Sequence, residues 1–378
     1  MGHGPCRPSW LIVRPELPCY GLAMEGKAHI GTRIGSLDCL RGIAILLVVL
    51  FHSSFAYPSI FGHDILKVIE NQGVQLFFLV SAFTMCAMWD RRRQESHPTM
   101  NFYIRRFFRI APLYWGFLII YGLLRGFAPW PDILANLVFI HSLVPSAINS
   151  VVPGGWSIGV EIAFYLLFPM VALLKPRFLI AVGFAWYLIV GIGVETLLKQ
   201  FGAPDMFLYY YYSPLTQFPV FAIGMYVYHL LHRPEECRLG HNLGLALVWL
   251  VTAALVKQAG LEGRPFFWLS MALWGVVVAL FVRHHIAIFP LTFFGRISYS
   301  MYLVHFAVIE LIATRFGAAL PSLLGIILII AASALLAYLS FISAEVWSQQ
   351  LGRRLVRRSR PDGATPPKSI ECKVPSQL

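Results

Sequence analysis

Two ionisable side chains on one apolar stretch are the first sign of chemistry in this sequence. Arg41 and His52 are eleven residues apart in the run from Leu37 to His52, which is otherwise almost wholly apolar after Asp38. At about 3.6 residues per turn and 1.5 Å per residue, His52 returns to nearly the same helix face roughly 16 Å further along the axis. An ionisable group so far inside an apolar helix is energetically expensive, so the pattern favours an intramembrane base behind a fixed cation that Asp38 can pair with. A histidine that is hydrogen bonded to a neighbouring helix is the structural alternative, which these residues leave open.

A group of arginines follows the second apolar stretch. Arg106 and Arg109 are three residues apart, which places two guanidinium groups on one helix face, and Arg105 adds a third charge. Guanidinium groups arranged in this way bind phosphate through paired hydrogen bonds. An anchor at the cytoplasmic membrane surface is the structural alternative.

A carboxylate interrupts a later apolar segment. Glu161 lies about two turns into a helix that opens with Trp156 and Ser157. A carboxylate at this depth needs a partner, and it could orient a charged imidazole or take part in a structural ion pair.

A polar stripe marks another apolar segment near the end of the chain. Ser298, Tyr302 and His305 follow spacings of four and three residues, which share one helix face. Such a stripe lines a cavity or bonds adjacent helices, and we expect His305 to support one of these rather than to react directly.

Composition indicates which elements position these residues. The chain has 378 residues, of which 58% are hydrophobic and only 13% are charged, about half the charged fraction of a soluble domain. Repeated apolar runs of about 20 residues predict an all-α, polytopic transmembrane helical bundle of about ten spans. The expected spans are 38–57, 72–89, 110–126, 156–174, 178–198, 214–231, 242–258, 265–282, 295–314 and 321–342. Residues 132–145 are apolar but short and bounded by prolines, which predicts a re-entrant or interfacial segment.

The expected organisation is an N-terminal cytoplasmic tail over 1–35, one membrane domain over 36–345 and a basic, disordered cytoplasmic tail over 346–378. No apolar segment long enough for a cleaved signal occurs in the first part, and Met24 is an alternative start to Met1. The six cysteines show no metal-ligand spacing and predict neither a disulfide nor a metal site.

The net charge is +12, and the positions of Lys and Arg indicate membrane topology rather than a nucleic-acid surface. Basic residues gather in alternate short loops and at the C-terminus, which predicts that both termini lie in the cytoplasm. We therefore expect membrane lipids, and no nucleic acid, as partners of the basic segments.

Together the motifs resemble acyltransferase family 3, the polytopic membrane O-acyltransferases and O-acetylases of bacterial surface glycans. The resemblance runs from about Leu37 to Ile342. Four signatures occur in order: Arg41 with His52, the run Arg106-Phe107-Phe108-Arg109, the run Trp156-Ser157-Ile158-Gly159-Val160-Glu161, and the run from Ser298 to His305. One departure is Ala82, where the family usually has glycine after the serine.

The resemblance implies an O-acyltransferase of the bacterial cytoplasmic (inner) membrane. Its donor would be cytoplasmic acyl-CoA, most often acetyl-CoA, as a co-substrate with no permanently bound cofactor. Its acceptor would be a hydroxyl of a glycan or lipid-linked sugar. His52 would act as general base, with Glu161 orienting it, and Arg41 would act at the reaction site. Arg41, Arg105, Arg106 and Arg109 would bind donor phosphates, and Trp156, Ser157, Tyr302 and His305 are candidates for the substrate pocket. Direct attack and a covalent acyl-histidine intermediate both remain open.

A transporter or flippase is the rival class. It would use His52, Glu161 and His305 as an intramembrane proton relay. The sequence shows no evident inverted repeat, which counts against this class. A membrane scaffold without chemistry would leave the ionisable groups unexplained.

Overall fold

Apolar runs broken by proline and glycine give a chain that is helical throughout its described part. The computed structural model describes residues 35–57, 72–186, 211–237 and 265–358, with single residues at 190 and 200. No β-strand occurs in these ranges. The helices, numbered in chain order, are α1 (Gly35–Ser53), α2 (Gly73–Arg92), α3 (Pro98–Arg125), α4 (Trp130–Leu137), α5 (Trp156–Val171), α6 (Leu179–Trp186), α7 (Pro214–His232), α8 (Pro265–Arg283), α9 (Phe289–Arg296), α10 (Ser298–Phe316), α11 (Ser322–Ser340) and α12 (Val346–Arg358).

The prediction of an all-α fold with several membrane-spanning helices is confirmed. Four of the described helices are long and apolar enough to cross a bilayer: α1, α2, α3 and the continuous helix Ser322–Val356. A fifth span arises if α9 and α10, which meet at a bend of 80°, are taken together. The count of about ten spans is not confirmed. Helix α5 is shorter than predicted, and the predicted segment 132–145 contains the eight-residue helix α4 followed by 3-10 turns.

Several expectations concern residues outside the described ranges. These are the tail up to residue 34 with Met24, the span 242–258, most of the span 178–198, and the end of the chain from residue 359.

Two predicted boundaries differ from the structure. Helix α3 begins at Pro98 rather than at the predicted span start of 110, so the arginines from Arg105 to Arg109 lie within the same helix as the span. The tail predicted to start at 346 begins with helix α12, which continues α11 through a π-turn at Phe341–Glu345. The hydroxyl of Ser348 donates to the backbone carbonyl of Phe108, which holds α12 against α3. Hydropathy could not show these turns because their charged residues lower the apolar signal of helices that continue.

A close helix crossing fixes the entrance of α1. A Cβ on Gly42 would lie 1.9 Å from the carbonyl oxygen of Leu291 on α9, and one on Gly295 would lie 1.7 Å from the carbonyl oxygen of Asp38. Only glycine permits such an approach of two backbones. The crossing therefore positions Asp38 and Arg41 against the end of α9.

The bend between α9 and α10 opens a helix terminus inside the bundle. Ile297 separates the two helices, and α10 starts at Ser298. The first N–H groups of a helix have no intrahelical partner and carry a partial positive charge, so this break creates a site that favours negative groups.

Candidate active site

Residues from all four sequence signatures meet around one cavity. A cavity of about 60 Å³ lies among α1, α2, α3, α5 and α10, and we call it the arginine cavity. Because one buried water occupies about 10–15 Å³ of cavity volume, the cavity has room for about four waters or for one small polar group. The predicted site residues on its wall are Arg41, Arg106, Arg109, Ser157, Glu161 and Tyr302.

The arginine cavity is suited to an anion. Three guanidinium groups line it, and Glu161 is the one carboxylate on its wall among the described residues. The first turns of α5 and α10 also line it, through Ser157 and Ser298, and both present positive helix ends. Arginines and helix N-termini together are the groups that bind phosphate in proteins.

Arg106 lacks a carboxylate partner among the described residues. Its side chain is 4% exposed, with its guanidinium 5.1 Å from the ring centre of Tyr165 and one Nη 2.9 Å from the sulfur of Met88. Its Nε has no hydrogen-bond partner in the described part of the chain. A buried cation with an unmet donor is costly, and an anionic ligand in the cavity would satisfy it.

Arg41 is held on two sides at the mouth of α1. Its Nη1 lies 3.1 Å from Asp38 Oδ1, which is the pair that the three-residue spacing predicts, and its Nη2 donates to Thr84 Oγ1 at 2.8 Å. Thr84 is not among the residues predicted from the sequence. It accepts from Arg41 across the α1–α2 contact and so fixes where that cation points.

Glu161 does not contact His52, contrary to the predicted pairing. Its Oε1 accepts hydrogen bonds from Ser81 Oγ and Tyr165 OH, each at 2.5 Å. Glu161 lines the same cavity as Arg41, whereas His52 lies eleven residues further along α1. Spacing in the sequence indicates how far each residue lies along its own helix. It does not indicate the relative heights of two helices, so it could not decide whether Glu161 and His52 meet.

His305 takes the place beside His52. The Nε2 atom of His305 lies 3.2 Å from Nδ1 of His52, which also lies 2.9 Å from the carbonyl oxygen of Val48. The Nδ1 atom of His305 lies 2.7 Å from the carbonyl oxygen of Tyr302. Because a carbonyl oxygen only accepts, the hydrogen-bond geometry assigns the proton to Nδ1 in both rings. In the neutral form His52 then carries its free lone pair on Nε2, and His305 offers its own Nε2 lone pair to His52.

Aromatic side chains enclose the histidine pair. The Phe306 ring centre lies 4.4 Å from that of His52 and 4.2 Å from that of His305, and Phe51 packs edge-on against His52 at 5.3 Å. His305 is fully buried. Apolar groups therefore enclose His305, whereas His52 beside it is partly exposed.

Tyr302 links this pair to the arginine cavity. Its hydroxyl donates to the carbonyl of Gly154 at 2.9 Å and accepts from Ser157 at 2.8 Å, while its backbone carbonyl accepts from His305. The two signatures on α5 and α10 are thus joined by hydrogen bonds.

Besides His52 and His305, two further predicted site residues lie off the arginine cavity. Arg105 is paired with Glu95 at 2.7 Å. Burial acts to raise the pKa of Glu95, but hydrogen bonds and charge from Arg105 outweigh it and hold that pKa below its usual range. Trp156 packs against Tyr212, with 4.7 Å between ring centres, and so shapes the start of α5 without lining the cavity.

Three functional candidates were not predicted from the sequence: Ser81, Thr84 and Tyr165. Ser81 and Thr84 share one face of α2 at a spacing of three, and Tyr165 follows Glu161 by four residues. Polar groups at helical spacing in apolar runs were the available signal.

The chain is similar to several curated proteins. It is 25% identical over 82% of its length to the peptidoglycan O-acetyltransferase OatA of Listeria monocytogenes, and it spans only about half of that relative, 54%. It is 25% identical to the putative membrane-bound transacylase BcsY of Komagataeibacter xylinus, with 78% of each chain covered. It is 34% identical to the exopolysaccharide production protein ExoZ of Rhizobium meliloti, over 29% of this chain and 36% of the relative. No solved structure matches it.

A family model described as an acyltransferase domain matches residues 34–342, which is most of the chain and includes every predicted site residue. This protein therefore belongs to acyltransferase family 3.

Proposed function

We propose that this protein moves an acyl group, in the first instance acetyl, from cytoplasmic acyl-CoA to a hydroxyl of a cell-surface or exported glycan. The observation that carries the proposal is the free Nε2 lone pair of His52, oriented by His305, on the helix whose other end reaches the arginine cavity. Membership of the family and the names of its relatives, an O-acetyltransferase and a putative transacylase among them, support the reaction class.

The donor phosphates would lie with the arginines. Arg106 offers an unmet buried donor, and Arg41 and Arg109 line the same cavity, so a phosphate there would gain several charge-assisted hydrogen bonds. Arg105 is engaged by Glu95, so it would act on the donor only through the field of its charge.

His52 would act as the general base. Its Nε2 takes the proton from the acceptor hydroxyl as the hydroxyl oxygen attacks the thioester carbonyl carbon. The tetrahedral intermediate then collapses, the carbon–sulfur bond breaks, and the CoA thiolate leaves with the proton that the imidazolium returns. A base of this kind contributes roughly 10²- to 10⁴-fold to the rate.

His305 would stabilise the charged form of His52. When His52 binds a second proton at Nε2, its Nδ1–H remains directed at Val48 and at the His305 lone pair. Glu161 would instead balance the arginines and hold Ser81 and Tyr165 in place. Ser157 and Tyr302, between the cavity and the histidine pair, would contact the acyl-bearing arm of the donor.

The setting would be the bacterial inner membrane, with about ten spans and both termini in the cytoplasm. The alternation of basic loops supports this orientation. Lipid contact is supported by long apolar side chains on α11, such as Leu323 and Leu335, which are 54% and 62% exposed.

Analysis of the surface glycan tests the function. We expect an O-acyl ester in wild-type cells that is lost on deletion of the gene. It should return with a plasmid carrying the wild-type chain but not with His52→Ala expressed to the same level. An unchanged ester content in the deletion strain would overturn the proposal.

A further inference from the structure

A second and larger cavity lies where three helices end. It measures about 210 Å³ and is walled by the last turn of α2, the residues that follow α5, and the end of α7 with the turn after it; we call it the end cavity. Trp89 and Phe168, 5.9 Å apart between ring centres, form an apolar wall. The end cavity shares no lining residue with the arginine cavity, so the two are separate.

Three cations and two carboxylates line the end cavity: Arg93, Lys175, Arg233, Asp90 and Glu236. The guanidinium of Arg233 lies 2.8 Å from Asp90 and 3.8 Å from Glu236. The Glu236 side chain is 44% exposed, so its carboxylate remains open to a ligand. Arg93 and Lys175 have no carboxylate partner among the described residues. The cavity therefore offers both signs of charge to a ligand.

The charge of the end cavity is close to balanced. Its lining side chains carry an excess of one positive charge. Helices α2, α5 and α7 all end here, and each helix C-terminus contributes a partial negative charge of about −0.5. These partial charges offset the side-chain excess, so a strongly anionic ligand is not favoured. A zwitterion is favoured, because its anionic group can meet Arg93 and Lys175 while its cationic group meets Glu236 and the carbonyls of the helix ends.

His229 adds an unmet hydrogen-bonding group. Its ring lines the end cavity, and its Nδ1 is buried with no hydrogen-bond partner in the described part of the chain. A neutral imidazole nitrogen either accepts from an ammonium group or donates to a phosphate, according to its tautomer. A ligand that carries both groups satisfies this nitrogen in either tautomer.

An exposed apolar stripe on α5 leads to the end cavity. Leu166, Met170 and Leu173 follow spacings of four and three residues along α5 and the turn after it, and they are 61%, 69% and 81% exposed. Leu173 also lines the cavity. At 1.5 Å per residue, the stripe extends about 10 Å from the helix end towards the middle of α5. An apolar surface in this position on a membrane helix fits the acyl chains of a lipid.

We propose that the end cavity binds phosphatidylethanolamine, a phospholipid whose headgroup carries a phosphate and a primary ammonium. Arg93 and Lys175 bind the phosphate, Glu236 binds the ammonium, and the acyl chains pack along Leu166 and Met170 on the outer face of α5. This site is independent of the acyl-transfer reaction, since neither the donor nor the acceptor is needed to fill it.

Lipid binding to the purified full chain tests the inference. The chain would be delipidated in detergent and titrated with phosphatidylethanolamine, phosphatidylglycerol or phosphatidylcholine, and native mass spectrometry would count the lipids that it retains. We expect wild type to bind one phosphatidylethanolamine more tightly than phosphatidylglycerol, which has no ammonium, or phosphatidylcholine, whose quaternary ammonium has no N–H to donate. Equal affinity for all three lipids would overturn the proposal. Tighter binding of phosphatidylglycerol would also overturn it and would assign the cations to anionic lipid.

Glu236→Gln tests the ammonium contact. It should lower the affinity for phosphatidylethanolamine about fivefold, the usual size of an exposed charged contact, and leave the affinity for phosphatidylglycerol unchanged. Retained binding of phosphatidylglycerol also shows that the variant is folded. Glu235→Gln is the matched control, because Glu235 is exposed and does not line the cavity, and it should bind as wild type does. Equal affinities for phosphatidylethanolamine in these two variants would contradict the proposal.

A double variant tests the phosphate contact. Arg93→Gln combined with Lys175→Gln should lower the affinity for phosphatidylethanolamine and for phosphatidylglycerol by roughly 10- to 30-fold. Arg91→Gln combined with Arg283→Gln is the control, since both arginines are exposed and line neither cavity, and it should change neither affinity. A double variant that binds as its control does would overturn the site.

Competition separates a lipid from a soluble phosphate ester. Glycerophosphoethanolamine has the same headgroup without acyl chains, so it should displace phosphatidylethanolamine from wild type only at a large molar excess. Displacement at equal concentration would show that the apolar stripe adds nothing, which would overturn the assignment to a lipid.

Discussion

Replacing Gly42 with alanine should separate the two helices that hold the mouth of the site. The added Cβ would lie 1.9 Å from the carbonyl oxygen of Leu291, so that oxygen must retreat by about 1.5 Å to reach ordinary contact at 3.4 Å. The obstacle is backbone, which cannot turn aside as a side chain can.

The size of the effect follows from this displacement. Overpacking of this kind destabilises a protein by about 1–3 kcal/mol. For a large domain that lowers the unfolding temperature by roughly 2–10 °C. Arg41 lies one residue away, and a misplacement near 1 Å can lower a rate by about 10²-fold. Gly295→Ala should act in the same way, since its Cβ would meet the carbonyl oxygen of Asp38 at 1.7 Å.

Gly116→Ala provides the matched control. Gly116 lies within α3, and a Cβ there meets nothing within 4 Å. This variant should keep wild-type activity and gain up to about 1 kcal/mol from helix propensity. The assay is thermal unfolding of the detergent-solubilised chain, followed by acetyl transfer in vesicles. If Gly42→Ala unfolds and reacts as Gly116→Ala does, the close crossing does not position the site.

Two further variants test individual contacts. His305→Leu should lower kcat by roughly 10- to 100-fold with KM unchanged, because it removes a hydrogen bond to the charged form of His52. His305→Gln should recover most of that loss, because its amide oxygen can accept from His52. Equal loss in both variants would show that His305 serves packing alone. Glu95→Gln should destabilise the chain at neutral pH. The pKa of Glu95 is lowered in the folded chain, so the ionised carboxylate stabilises the fold at pH values above the ordinary glutamate pKa of about 4.3. That difference should disappear as the pH falls below this value and Glu95 becomes protonated, which pH-dependent unfolding measures; a constant gap at all pH values would contradict the assignment to the Arg105 pair.

Periodicity in the sequence selected the arginines of the arginine cavity, although it missed Ser81 on the same wall. The spacings of Asp38 with Arg41 and of Arg106 with Arg109 report which side chains share a helix face, and the structure places all but Asp38 of these on one wall. Consecutive residues show where that signal stops. Arg105 and Arg106 are about 100° apart around a helix, so one turns to Glu95 and the other to the cavity.

Contacts between helices could not be read in the same way. The sequence predicted Glu161 as the partner of His52, whereas His305 occupies that position. Both residues are ionisable and lie in apolar helices, so their types do not separate them. The choice depends on relative helix heights, and these are set by packing details such as the contact of Gly42 with Leu291, which have no periodic signature.

Transfer from labelled acetyl-CoA tests the central claim most directly. The purified chain in phosphatidylcholine vesicles would receive acetyl-CoA labelled in the acetyl group and glycan acceptor from the same cells. We predict that wild type moves label onto the acceptor as an alkali-labile ester and that His52→Ala lowers the rate by about 10²- to 10⁴-fold while eluting as a folded protein. Transfer by His52→Ala at the wild-type rate would contradict the account, as would a wild-type chain that moves no label.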